Sequence, residues 1–233
     1  QTLTEGGATS TYAYDHVSQR VRKGSATATT TYPNRYYNRS VSSAGVATGT
    51  LQIFTPDGLL LATIEGNGAA TSTYFIHPDH LGSTNVVTDS VATIKQTLDY
   101  KPFGGLRVDS GTDVSQREFI GEERDEETAL SYLNARYYAS ARGQFLSKDP
   151  WGGDLANPQT LNKYSYSLNN PLILVDTTGE EVRLGWRNAS GFPVGHTFLY
   201  VTPTNPASLP SRGIGSQNDL SKPFVLAGNT DGD

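Results

Sequence analysis

The chain has no cysteine and no methionine in 233 residues. The first absence removes disulfides, thiolate nucleophiles and cysteine-ligated zinc together. The second reaches residue 1, which is Gln1, and is expected of a segment excised from a longer protein. Apolar residues are scarce, at 36%, and no run approaches the roughly 18 needed for a membrane-crossing helix, so no membrane span is expected. Gln1–Ser10 lacks the charged-then-apolar layout of a signal peptide. Positive charge is also in short supply, with 18 Lys and Arg against 23 Asp and Glu and a net charge of −5. Phosphate binding needs clustered Lys and Arg, and single-strand binding needs aromatics interleaved with them. Neither pattern is present, which argues against a nucleic-acid partner. The filling is Thr, Ser, Gly, Tyr and Val, the vocabulary of strands and turns. A chain of this length buries roughly 70% of its unfolded surface, enough for a real core. The expectation is a soluble, mainly β fragment.

Short strand-like runs recur between turn signals, which is the all-β pattern. Tyr12–Asp15, Val17–Lys23 and Ser25–Tyr32 open the series. Leu51–Phe54 and Leu59–Glu65 flank Pro56-Asp57-Gly58, where Pro presets φ and Gly permits a positive one, so residues 51–65 are expected to form a hairpin. Thr71–Ile76, Asn85–Thr88 and Thr93–Tyr100 continue it before Lys101–Gly105 breaks the chain. Residues 116–120 read as another strand, and Gly121–Glu127 as an acidic turn. Ala129–Ala141 reads both ways. Leu130, Leu133 and Tyr137 are spaced for a helix face, and Tyr132, Asn134, Arg136 and Tyr138 for one side of a strand. Asn157-Pro158 offers an N-cap followed by Pro at the first helical position. A short helix is expected there, with Leu161, Tyr164 and Leu168 on one face and Asn169-Asn170-Pro171 as its stop. Beyond Gly179 the texture changes to Pro, Gly, Ser and Asn around two candidate strands, Val182–Trp186 and His196–Thr202.

Several segments together resemble one family. Tyr14-Asp15-x-x-x-Gln19-Arg20-Val21 looks like a degenerate tyrosine–aspartate (YD) repeat, with Ser18 where the repeat usually has Gly. His77-Pro78-Asp79-His80-Leu81-Gly82-Ser83-Thr84 and Leu98-Asp99-Tyr100-Lys101-Pro102-Phe103-Gly104 resemble the signatures leading into an RHS-repeat-associated core domain. So do Tyr132-Leu133-Asn134-Ala135-Arg136-Tyr137-Tyr138 and Gly143–Pro150. Asn162-x-Tyr164-x-Tyr166, Asn169-Asn170-Pro171 and Asp176-x-x-Gly179 approach the module's close. The resemblance covers residues 10–179 and stops there. It implies a β-sheet of antiparallel hairpins that spirals into a hollow shell, with a short helix and an irregular C-terminal plug. The implied division is YD-repeat strands over 1–75, the core domain over 76–179 and a variable extension, a toxin or its start, over 180–233. It also implies a secreted or cell-surface bacterial protein used in competition. Its partners would be its own upstream repeats and its own C-terminal cargo, with secretion machinery or an immunity protein as further ones. By the same resemblance, residues 116–138 are expected as a hairpin turning at Glu126-Glu127-Thr128, not as a helix.

The candidate chemistry is a carboxylate pair, Asp149 and Asp176. Family members that release their cargo cut their own chain just after the closing Asp-Pro-x-Gly motif, and two Asp residues are thought to act as an aspartic-protease dyad. Two close carboxylates share one proton, so one activates water while the other protonates the departing amide. Asp149-Pro150-Trp151-Gly152 matches the first motif. Asp176-Thr177-Thr178-Gly179-Glu180 lacks the Pro of the second, and Glu180 stands where an apolar residue is usual. The competing role for both residues is to cap turns, and the departures favour a non-enzymatic shell segment over a self-cleaving peptidase. His77, Asp79 and His80 hold metal-ligand residue types, but Pro78 and Gly82 place them in a loop, where a structural corner is the better reading. Glu122–Glu127 lacks the spacing of a calcium loop and is expected as a solvated tip. Ser190, His196 and Thr197 have no matching acid or nucleophile elbow. No cofactor is expected, since Gly104-Gly105 and Gly152-Gly153 lie outside any phosphate-loop pattern.

Overall fold

The computed structural model describes residues 1–5, 8–112, 114–150, 153, 155, 157–180, 182–184 and 200–201. Its main feature is a sheet of eleven antiparallel strands in sequence order. These are β1 (Thr2–Glu5), β2 (Ala8–Tyr14), β3 (Arg20–Gly24), β4 (Ala28–Asn34), β5 (Tyr37–Ser42) and β6 (Ala47–Phe54). They continue through β7 (Leu60–Gly66), β8 (Thr71–Pro78), β9 (Thr84–Asp89), β10 (Ile94–Tyr100) and β11 (Leu106–Gly111). Every link is a hairpin, so neighbours in sequence are neighbours in the ladder, the simplest solution for a chain that alternates strands and turn signals. The hairpin expected at 51–65 is present, with Phe54 opposite Leu60 and Gly49 opposite Gly66. Lys101–Gly105 is a hairpin turn as well and does not end the sheet, since Tyr100 pairs with Leu106.

One turn design recurs. In the turn at Asp15, its Oδ1 accepts the N–H groups of Val17 and Gln19, both at 2.9 Å. Asp79 does the same for Leu81 and Ser83, and Asp89 for Val91 and Thr93. The fourth residue of each turn must take a positive φ: Gly82 at 88°, but Ser18 at 64° and Ala92 at 63°. A side chain in that region costs about 1–2 kcal/mol. Ser18→Gly and Ala92→Gly are therefore expected to raise stability, by about 1 kcal/mol each after the extra entropy of unfolded glycine is subtracted. Urea midpoints of the two single variants and the double variant check this, and two sites so far apart in sequence should add.

The buried face of the early strands is unusually polar. Ser10, Thr30, Asn38, Thr50, Gln52 and Thr63 are all at most 8% exposed. Register aligns them: Asn38 lies opposite Thr50, and Gln52 opposite Thr63. The segment after Asp113 crosses this face and is stitched to it by hydrogen bonds. Gln96 Oε1 accepts from the backbone of Val114 and Ser115, and the Thr84 hydroxyl donates to the Arg117 carbonyl at 2.6 Å. Arg117 Nε then reaches Gln52 at 2.8 Å. The strand expected at 116–120 is reduced to one bridge, Arg117 to Glu123, and a 3-10 turn over Phe119–Gly121. Ile120 takes φ 51°, and its N–H is drawn out of any ladder to the distant Ser83 hydroxyl at 3.0 Å.

A second sheet follows, made of β12 (Glu123–Asp125), β13 (Leu130–Leu133), β14 (Arg136–Ala139) and β15 (Gln144–Phe145). Residues 126–129 are the turn of its first hairpin, so the strand reading of Ala129–Ala141 holds and the helical spacing is overridden by pairing across β12–β14. The apolar core lies against this sheet and contains Leu81, Phe119, Leu133, Tyr138, Phe145, Tyr166 and Val175. Tyr138 is its centre, its ring 4.5 Å from that of Tyr166 and tilted by 36°, with its hydroxyl donated to the Phe103 carbonyl at 2.8 Å. The short helix expected from Asn157 is instead two 3-10 turns, Pro158–Leu161 and Ser167–Asn169, and Asn157 makes no side-chain cap bond. Between them the backbone is claimed by β15 and its continuation, with Phe145 N–H bonded to the Tyr164 carbonyl and Asp149 N–H to that of Lys163. Leu161 and Tyr164 are accordingly 41% and 44% exposed. Finally, β16 (Leu174–Val175) pairs with β17 (Val182–Leu184), and β17 with β18 (Tyr200–Val201).

Candidate functional site

Asp149 and Asp176 are brought to the same cation. Arg136 opens β14, and its Nη2 lies 3.1 Å from Asp149 Oδ2 and 3.4 Å from Asp176 Oδ2. The guanidinium is only 5% exposed, Asp176 1% and Asp149 19%. The Phe145 ring stacks on the guanidinium at 3.6 Å. Burial holds the basicity of Arg136 below its ordinary value, against the pull of Asp149, Asp176 and Glu180 in the other direction.

The closing motif docks as a unit on the β13–β14 turn. Asp176 Oδ1 accepts the Gly179 N–H at 2.7 Å, which closes the Asp176–Gly179 turn on itself. The Asn134 side-chain amide then donates to the Thr177 carbonyl at 2.9 Å, and the Ala135 N–H to the Thr178 carbonyl at 3.0 Å. Arg136 Nε donates to the Gly179 carbonyl. Gly179 sits at φ 73°, and a Cβ there would run into the Leu133 carbonyl. Only glycine fits this corner. Asp176 thus caps a turn and neutralises Arg136 at once. Asp149 and Asp176 meet at one guanidinium. The same guanidinium holds the carbonyl of the Gly179–Glu180 peptide. The role of Arg136 was not legible from spacing, although it stands in the motif Tyr132–Tyr138 as a lone cation among aromatics.

The acidic run is not a solvated tip. Glu123 and Asp125 are buried and reach the sheet, where Arg20 of β3 pairs with Glu123 at 3.3 Å and Asp125 at 2.7 Å. Lys23 pairs with Asp125 at 3.2 Å and Glu127 at 3.1 Å. The Arg20 guanidinium also lies over the rings of Tyr32 and Tyr132, at 4.8 and 4.4 Å. Burial opposes the charge on Lys23, but Asp125 and Glu127 outweigh it, and its ammonium is held above the usual value. The reason for the correction is complementarity: the few basic residues of β3 face this run, which sequence separation conceals.

Glu122 is the exception within the run. Burial pushes its carboxyl up to about 7 from the ordinary 4.5, despite Arg117 Nη1 at 3.2 Å. Between those two values the unfolded chain loses a proton that the folded chain keeps. Stability therefore falls as pH rises through that window, by up to roughly 1.4 kcal/mol per pH unit for this one group. Glu122→Gln, which mimics the neutral form, is expected to gain stability relative to the parent between pH 5 and 7. Urea midpoints across that range check it, and a constant difference would contradict it.

The other candidates separate. His77 Nε2 contacts the Thr88 hydroxyl at 3.0 Å, and His80 Nε2 the Leu172 carbonyl at 3.1 Å. Asp79 Oδ1 is engaged by two backbone N–H groups of its turn. Among the described residues no three His, Asp or Glu side chains are grouped for a metal, and no helix is long and apolar enough to cross a membrane. Trp151, Gly152, Ser190, His196 and Thr197 lie outside the described residues.

A continuous antiparallel sheet with a polar buried face, crossed and closed by a motif-bearing second sheet, defines a β-shell protein. The Teneurin YD-shell model matches residues 5–172, and the chain belongs to this family of RHS/YD-shell proteins. Among curated proteins it is similar to the tRNA nuclease WapA of Bacillus subtilis, 34% identical over 114 residues, covering 48% of this chain and 5% of that protein. It is similar to the toxin protein Tse5 of Pseudomonas aeruginosa, 31% identical over 45% of this chain and 8% of that protein. A third relative is the toxin subunit YenC1 of Yersinia entomophaga, 34% identical over 42% of this chain and 10% of the relative. The chain thus spans a tenth or less of these relatives. Among solved structures, the TcdB2-TccC3-Cdc42 complex superposes with a TM-score of 0.64 at 21% identity, over 76% of this chain and 9% of that one. TcdB2-TccC3 gives 0.62 at 22% identity, over 76% and 10%. The shared fold is the YD-shell β-sheet.

Proposed function

We propose that this chain is the closing arc of a shell that encloses the polypeptide following Gly179. In this reading residues 1–75 continue the wall, residues 76–179 form the core domain that folds in as a plug, and 180–233 begin the enclosed segment. The observation that carries it is the docking of the Asp176–Gly179 turn on Asn134, Ala135 and Arg136, which anchors the last of the family-like motifs to the second sheet. The polar buried face of β2–β7 supports it, because a wall lining an enclosed polypeptide has no need of an apolar inner surface. Relatives named as toxins and a nuclease support an exported protein whose cargo is toxic. Limited proteolysis tests the enclosure in a chain that includes the upstream repeats. The segment after Glu180 should survive protease while intact and be digested once the shell is unfolded in urea; equal digestion in both states would exclude it.

A second reading has one specific observation in its favour. Arg136 holds both Asp149 and the Gly179 carbonyl, the group an attacking water would have to reach in self-cleavage. Intact mass after days of incubation decides between the two. The shell reading expects one species of full mass in the parent and in Asp149→Asn alike. A fragment ending at Gly179 or Glu180 in the parent, absent from Asp149→Asn, would establish the peptidase.

A further inference from the structure

The turn joining β7 to β8 grips its asparagine with two donors. Asn67 Oδ1 accepts the N–H groups of Ala69 at 3.0 Å and Ala70 at 3.1 Å. Asn34 and Asn162 each take one such bond, from Tyr36 and Tyr164, and are followed by Arg35 and Lys163. Asn67 is followed by Gly68. The turn is exposed to water from Asn67 to Ala70, and a Cβ built on Gly68 would meet nothing within 4 Å. Packing therefore leaves the Gly68 nitrogen open, and no side chain at 68 stands in its way. Two N–H donors on one carbonyl oxygen are also the arrangement that stabilises an oxyanion. In the turns at Asp15, Asp79 and Asp89 a related pair grips a carboxylate, which is a poor electrophile. At Asn67 it grips an amide.

We infer that Asn67 is a site of covalent self-modification, where the Gly68 backbone nitrogen attacks the side-chain amide and deamidates it, with the Ala69 and Ala70 N–H groups as the oxyanion hole. The Gly68 nitrogen gives up its proton and forms a bond to Asn67 Cγ. The electron pair of the Cγ–Oδ1 double bond moves onto Oδ1, where the two N–H groups face it. When the carbonyl re-forms, the Cγ–Nδ2 bond breaks, and the departing nitrogen takes up the proton and leaves as ammonia. A succinimide ring remains, and water opens it at either carbonyl. One product is aspartate; the other is isoaspartate, in which the backbone runs through the side chain. Both add a negative charge close in sequence to Glu65. Isoaspartate also adds a methylene to the turn between Gly66 and Thr71, which face each other at the end of the ladder. The reaction needs only water, and it rests on this turn and not on the enclosure proposed above.

The test is incubation of the full chain at mildly alkaline pH, followed by peptide mapping around position 67 with aspartate and isoaspartate separated. Asn67 is expected to convert ahead of Asn34 and Asn162, with the mass change of an amide turned into an acid. Ala70→Pro removes one of the two N–H donors and keeps the Asn67-Gly68 pair. Conversion should then slow about 2–10-fold, the worth of one hydrogen bond expressed as a rate. Conversion at the parent rate in that variant would overturn the proposal. So would an Asn67 that stays intact in the folded chain while a linear peptide of the same local sequence converts. Ala69→Pro removes the other donor and repeats the comparison if circular dichroism shows the first variant to be unfolded.

Discussion

Arg136→Met is expected to cost about 3–5 kcal/mol, the range for removing one partner of a buried ion pair. The reason is what remains behind. Asp176 is 1% exposed and loses its cation, while its Oδ1 stays committed to the Gly179 N–H. Asp149, at 19% exposure, is better placed to recover its hydration. The Gly179 carbonyl loses the Arg136 Nε donor as well. A loss of this size is a large share of the 5–15 kcal/mol typical of a domain. The effect should also be local. Asp176→Asn in the Arg136→Met background removes the stranded charge and keeps an oxygen for the turn, so it should restore a substantial part of the loss. Asp149→Asn in the same background should restore less. Urea denaturation of the singles and doubles reads both couplings. If Asp149→Asn rescues as well as Asp176→Asn, burial is not what sets the cost.

Arg20→Met should be comparably severe, also about 3–5 kcal/mol, for a different combination of reasons. Arg20 is 1% exposed at its side chain, and Glu123 and Asp125 are 7% and 0% exposed. Asp125 keeps Lys23 at 3.2 Å, so the stranded charge is chiefly Glu123. The planar guanidinium also lies over the rings of Tyr32 and Tyr132, a contact an ammonium reproduces poorly. Arg20→Lys is therefore expected to recover only part of the loss, despite keeping the charge. Because Arg20 joins β3 to β12, the variant should also detach the crossing segment from the early strands. Hydrogen exchange would show this as lost protection over 123–139, with β6–β8 little changed. Uniform loss of protection across both sheets would show that the two layers unfold as one unit.

Both predictions concern residues whose neighbours are distant in sequence, and this marks the division between what could be read and what could not. Strand–turn alternation and the hairpin at 51–65 are local, so they were legible in residue order. The candidate carboxylates were legible too, because Asp149 and Asp176 stand in motifs with Pro and Gly at set offsets. The helix expected at Asn157 failed because cap and spacing signals are weak beside backbone pairing: the carbonyls of Lys163 and Tyr164 were already claimed by Asp149 and Phe145. The acidic tip failed for a related reason. A run of like charge reads as solvated until the cations that face it are known, and Arg20 and Lys23 lie more than a hundred positions upstream.

The lack of cysteine, methionine and long apolar runs, together with Thr- and Tyr-rich alternation, was enough to make this chain a mainly β protein without cross-links. Those are properties of composition and of period-two patterning, and they survive any arrangement of the strands. That Arg136 would join Asp149, Asp176 and the Gly179 carbonyl depended on how the second sheet crosses the first. Such convergence is set by long-range packing, where a single cation is shared by segments whose sequences carry no sign of one another.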